Sequence, residues 1–70
     1  MNRTPVSSSN ICSIGYEPDT RTLEVEFHSG GVYQYFAVPE SVYRGLMQSP
    51  SKGSYFLDHI KGRYSFNRIR

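Results

Sequence analysis

Seventy residues, 37% hydrophobic and 14% aromatic, suffice for one small core and are too few for two. A lone cysteine excludes an intramolecular disulfide and a cysteine-rich zinc site, and no apolar run approaches the ~20 residues of a membrane span, so a reducing, cytoplasmic setting is expected. The net charge of +2 hides an asymmetry: residues 1–43 carry two arginines against five carboxylates, whereas residues 44–70 carry six basic side chains against Asp58 alone.

The opening MNRTPVSSSN offers little to bury, so residues 1–9 read as a flexible lead-in to a single domain over 10–66, with 67–70 as a basic tail. NICSIGYE alternates Cys12, Ile14 and Tyr16 against Ser13 and Gly15, the period of two that a half-buried strand requires. After the turn EPDT comes the clearest strand, TLEVEFH, with Leu23, Val25 and Phe27 on one face and Glu24, Glu26 and His28 on the other. A four-residue EPDT loop pairs Ile14 with Leu23 and Cys12 with Val25, which sets both apolar faces together and puts Cys12 on the core side.

The third strand lies in SGGVYQYFAVPE, and loop length decides its facing. A two-residue loop would align Val32, Gln34 and Phe36 with Leu23, Val25 and Phe27, burying the Gln34 amide at about 1–3 kcal/mol if unpartnered. A three-residue loop, His28-Ser29-Gly30 with glycine left-handed, aligns Tyr33, Tyr35 and Ala37 instead and avoids that cost. The tyrosines are therefore expected to pack inward with their hydroxyls toward the rim. Any platform on the open face would then be Phe36 with Val32 beside it.

Pro39 ends this strand and suits a first helical turn; ESVYRGLMQS supplies Val42, Tyr43, Leu46 and Met47 as an apolar stripe, and Pro50 stops it. A second helix over SPSKGSYFLDHIKG, capped by Ser49 or Ser51, carries Tyr55, Phe56, His59 and Ile60 and closes at Gly62. Neither helix is long enough to stand alone, so both must lie on the sheet. The final RYSFNRIR either adds a short strand or frays. The fold class is thus α+β, a three-stranded antiparallel β-meander followed by two short α-helices packed on one face.

The run YEPDTRTLEVEFHSGGVYQYFAVPESVY followed by SPSKGSYFLDHIKGRY resembles the KTSC domain, a module named for the C-terminal segment of some lysyl-tRNA synthetases and also met as a stand-alone small protein in bacteria and phages. The resemblance covers roughly residues 6–66 and rests on Tyr33 and Tyr35, flanked by Phe27, Gly30 and Val38-Pro39, and on a second block of Ser51, Gly53, Tyr55, Phe56 and Ile60. Leu57 departs from the asparagine that members often carry after the aromatic pair. The synthetase connection implies RNA as a partner.

The residues themselves point to phosphate contact at Arg44, Lys52, Lys61, Arg63, Arg68 and Arg70, because basic side chains bind nucleic acid largely by releasing its counterions. Tyr64 and Phe66 interleave with Arg63 and Arg68, the most binding-like local pattern; a solvated basic surface explains the same residues more simply. Lys52 and Lys61 fall about half a turn out of phase, so one helix face cannot hold both. Neither Gly30-Gly31 nor SKGS has phosphate-loop spacing. No metal-ligand spacing and no convincing nucleophile are present, so no cofactor and no catalysis are expected. The expected role is a small non-enzymatic binding module for RNA, with a protein partner on the open sheet face or edges as the alternative.

Overall fold

The computed structural model describes residues 1–70 and contains a single five-stranded antiparallel sheet whose strands lie in sequence order. They are β1 (Thr4–Pro5), β2 (Ile11–Glu17), β3 (Thr22–Phe27), β4 (Val32–Tyr35) and β5 (Phe66–Arg68); α1 (Glu40–Gln48) and α2 (Lys52–His59) lie between β4 and β5. The architecture is α+β, but the sheet has two more strands than the hydrophobic pattern announces. The extra strands are edges: β1 comes from the segment read as a lead-in, and β5 from the final RYSFNRIR, which adds a short strand rather than fraying. Thr4 pairs with Ile14 and Pro5 with Ser13, while Tyr33 pairs with Arg68 and Tyr35 with Phe66. Short edge strands need only backbone partners, so they leave no apolar alternation to read.

The β3–β4 hairpin follows the three-residue loop. Leu23 opposes Tyr35 and Val25 opposes Tyr33, and Gly30 sits at φ 104°, a region open to glycine without penalty. Gln34 thereby falls opposite Glu24 and donates to its Oε1 at 2.9 Å. Ala37 departs from the alternation: at φ 58° it leaves the strand exposed and turns Val38, fully buried, into the core instead.

The β2–β3 pairing differs from the loop-length expectation by two residues. Ile14 opposes Val25 and Tyr16 opposes Leu23, because the connecting loop is Pro18 to Arg21 rather than EPDT. A shift of two preserves parity, so the apolar faces still agree. A bulge between Ile11 and Ser13 changes the outcome for Cys12. The extra residue puts Ile11 opposite Phe27 in the core and swings Cys12 to the other face, beside Glu26.

One sheet face carries Ile11, Ile14, Leu23, Val25 and Tyr35, which join Val38, Leu46, Phe56 and Ile60 in the core beneath the helices. Tyr16 stacks on Tyr43 of α1 at 4.7 Å and donates to the Val38 carbonyl at 2.5 Å, pinning the helix to the sheet. Helix α2 approaches α1 so closely at Gly45 that a Cβ there would collide with the Tyr55 phenol. Ser51 is the N-cap residue of α2, yet its hydroxyl bonds Ser54 Oγ rather than a backbone N–H.

The opposite face is polar and covered by chain rather than by helices. Met1 to Arg3 lie across Gly15, where a Cβ would stand 2.7 Å from the Asn2 carbonyl oxygen. Arg3 pairs with Glu24, which is only 4% exposed, and donates through Nε to Ser13 Oγ at 3.0 Å; Ser13 in turn donates to Glu26 at 2.8 Å. Arg70 reaches Glu26 at 3.6 Å from the other end of the chain. Val32 on this face is 1% exposed and Phe36 half-buried, so the docking surface expected from those two residues is not open.

Candidate nucleic-acid interface

The largest cavity is a cleft of ≈ 600 Å³ between α2 and the β3–β4–β5 side of the sheet. Its floor is aromatic. Phe56 meets Phe27 at 5.4 Å and Tyr35 at 5.3 Å, both nearly edge-on, while Phe66 lies 5.8 Å from Tyr33 and 5.5 Å from Tyr35. These rings converge because Phe27, Tyr33, Tyr35 and Phe66 share one sheet face, set by the hairpin register and by β5. Asn10, His28 and Lys61 supply the polar rim, and no carboxylate lines the cleft.

The two central tyrosines have unequal settings. Tyr35 is 6% exposed, and burial, aided by Tyr33, pushes its phenol up to about 12. Tyr33 stays half-buried nearer the rim, with the Arg68 guanidinium 5.8 Å from its ring centroid. Inward packing therefore holds for both rings, and at Tyr33 it leaves the ring partly exposed.

The six basic side chains of the C-terminal third do not form one patch. Arg44 is engaged by Glu40 one helical turn back at 2.8 Å, Lys52 donates to the Ser49 carbonyl at 2.9 Å, and Arg70 turns to Glu26 on the opposite face. Arg63 donates to the Asp58 carbonyl at 3.1 Å at the end of α2, and Tyr64 packs against the core edge. The Lys61 ammonium lines the cleft without an ion pair or hydrogen bond, and Arg68 stands over Tyr33 on its border. The structure thus brings together Lys61, Arg68, Tyr33, Tyr35 and Phe56 and separates the rest. Gly53 joins them, with its missing Cβ facing Asn10 Nδ2 at 3.4 Å. Ser51 lies beyond the cleft in a smaller polar hollow, and Tyr55 faces α1 with the His59 ring tilted against it.

Sequence reasoning missed Asn10, His28 and Leu57 as cleft residues. Leu57, 55% exposed, stands outside the buried stripe of α2, and that displacement was its one readable signal. Asn10 hid in a serine-rich run whose polar composition suggests only a loop.

Cys12 occupies the other face. Partial burial and then the negative charge of the Glu26 carboxylate, toward which the S–H donates, push the thiol up, so it is a poor nucleophile. The two histidines make other contacts: His28 Nε2 donates to the Ser8 carbonyl at 3.0 Å, and the His59 ring lies tilted against Tyr55 at 4.4 Å. No three His, Cys, Asp or Glu side chains cluster closely enough to hold a metal, and no helix is long and apolar enough to cross a membrane.

A helix-covered antiparallel sheet with an aromatic, carboxylate-free cleft defines a compact α+β module, and its relatives give the class a name. The KTSC domain family model matches residues 7–64, and this chain belongs to that family. The chain is 48% identical over 61 residues to a lysine–tRNA ligase of Nostoc punctiforme, spanning 87% of this chain but only 11% of the ligase. A protein of Stutzerimonas stutzeri is 45% identical over 70 residues, with 99% of both chains covered. The crystal structure of a KTSC domain protein from Yersinia pestis superposes with a TM-score of 0.96 at 48% identity, covering 99% of this chain and 97% of that one.

Proposed function

We propose that this domain is a non-enzymatic module that binds single-stranded RNA at the α2–β5 side, with the aromatic cleft and its bordering cations as the contact surface. The observation that carries this reading is the composition of the cleft: five aromatic rings, the unpaired Lys61 and no carboxylate. Aromatic side chains accept the faces of unstacked bases, and nearby cations contact phosphate, which is how proteins of many folds hold single strands. Five of the residues that carry the family resemblance, Phe27, Tyr33, Tyr35, Gly53 and Phe56, line this cleft. The likeness to a segment of lysine–tRNA ligases supports RNA over DNA as the partner.

The basic surface in this reading is narrower than charge alone suggests, since Arg44, Lys52 and Arg70 already have partners within the chain. Titrating a single-stranded oligonucleotide and following backbone amides tests it. Shifts should gather on α2, the β3–β4 loop and β5, and Arg68→Gln should weaken binding while Arg44→Gln leaves it unchanged. Equal losses from both substitutions would indicate diffuse charge attraction instead.

A second reading is favoured by one observation. Leu57, Phe66 and Ile69 are 55%, 54% and 49% exposed, and β5 is an edge strand with a free side. A protein partner adding a strand there would bind through backbone hydrogen bonds and would be nearly insensitive to salt.

A further inference from the structure

We infer that the cleft seats one unpaired nucleobase, stacked on Phe66 and closed over by Leu57, with its phosphate toward Lys61; the inference rests on the RNA-binding reading above. Phe66 is 54% exposed although its ring is flanked by Tyr33 and Tyr35 on the same sheet face, so it is held in place and still open. Leu57 stands on α2 as another exposed wall of the same cavity. A flat ring between the two walls would bury both apolar surfaces at once, and a planar base has that shape.

The polar groups suit a nucleotide better than a wholly apolar guest. The Asn10 carboxamide makes no hydrogen bond within the chain and offers the donor and acceptor pair that a base edge presents in return. Lys61 has no counter-ion, and the absence of a lining carboxylate leaves its charge for a phosphate. A hydrocarbon guest would strip water from both groups and return nothing. At ≈ 600 Å³ the cleft lies within the range of small-ligand sites, about 300–1,000 Å³. Beyond Asn10 and Gly53 it continues into a hollow of ≈ 210 Å³ lined by serine hydroxyls, a polar exit for the adjoining sugar–phosphate chain.

The test is an amide-resolved titration of the whole chain with AMP, using ribose phosphate and inorganic phosphate as controls without a base. AMP should shift Asn10, Leu57 and Phe66 together, while the controls should move only the surroundings of Lys61. Phe66→Ala should weaken AMP roughly 5- to 150-fold, the worth of one base stacked on one ring. Because Phe66 is half exposed, this variant should keep its fold; if its spectrum collapses, Leu57→Asp asks the same question from the other wall. AMP shifts that match those of inorganic phosphate, or unchanged AMP affinity in the folded variant, overturn the inference. An oligonucleotide that binds Phe66→Ala at full strength removes the base seat on Phe66 and leaves RNA binding through the rest of the α2–β5 side standing. AMP lodged in the cleft with no added affinity for an oligonucleotide does the reverse.

Discussion

Replacing Arg3 with alanine should destabilise the domain far more than a residue so near the chain start would suggest. Its guanidinium is the principal charged partner of Glu24, which is 4% exposed and would be left with the Gln34 amide. Removing one member of a fully buried pair costs about 3–5 kcal/mol, but the Arg3 side chain is 24% exposed and water can partly replace it, so about 2 kcal/mol is expected. Total stability for a chain this size is roughly 3.5–10 kcal/mol, and each kcal/mol shifts Tm by about 4–8 °C, so thermal unfolding should move down by about 8–16 °C. The pH dependence provides an internal check. Burial alone would raise the Glu24 carboxyl, yet hydrogen bonds from Gln34 and Arg3, with the charges of Arg3 and the amino terminus, hold it below its ordinary value. A depressed carboxyl stabilises the fold above its unfolded value, about 4.3, and loses that contribution as pH falls through the folded value. Arg3→Ala should therefore flatten the acid limb of the stability profile, and Glu24→Gln should shrink the difference between the two backgrounds to what Arg3 contributes through Ser13 and Glu26. A Tm change under about 2 °C with an unaltered acid limb would show that residues 1–5 are not clamped to the sheet.

Leu46→Ala, at a fully buried position, should cost about 2–5 kcal/mol, measured by denaturant unfolding, and a cost under 1 would mean α1 is not docked as described. Gly45→Ala should lose about 1–3 kcal/mol because its methyl meets the Tyr55 phenol, and Tyr55→Leu should relieve most of that loss in the double variant. Tyr35 should ionise last among the tyrosines on alkaline spectrophotometric titration. Its raised folded pKa of about 12 means stability is complete below the unfolded value, about 10, and declines as pH climbs toward 12; Tyr35→Phe should remove the late step. Val32→Asp should unfold the domain, as expected of a buried position, rather than leave a folded chain.

The parts of the fold that were legible are those with a physical pattern of their own. Leu23, Val25 and Phe27 alternate cleanly, the Gln34 amide set the β4 facing through its burial cost, and the prolines bounded α1. The edge strands β1 and β5 carry no such pattern, since they are held by backbone pairing and by ions from distant residues, Arg3 with Glu24 and Arg70 with Glu26. Cys12 was misplaced for a related reason. One bulged residue reverses a side chain's facing, and nothing in NICSIG marks where the bulge falls. At the site, the aromatic floor could be assembled from parity, while the rim could not. Lys61 and Asn10 meet across the cleft although about fifty residues apart in the chain, a juxtaposition that arises only when α2 folds back over the sheet.

The salt dependence of single-stranded RNA binding tests the central claim most directly. If Lys61 and Arg68 contact phosphates, the slope of log affinity against log salt should be about −1.4, a loss of roughly sevenfold between 50 and 200 mM. Lys61→Gln together with Arg68→Gln should bring that slope close to zero, while Phe66→Ala lowers affinity without changing it. No measurable binding at low salt, or an affinity that salt leaves untouched, would contradict the account.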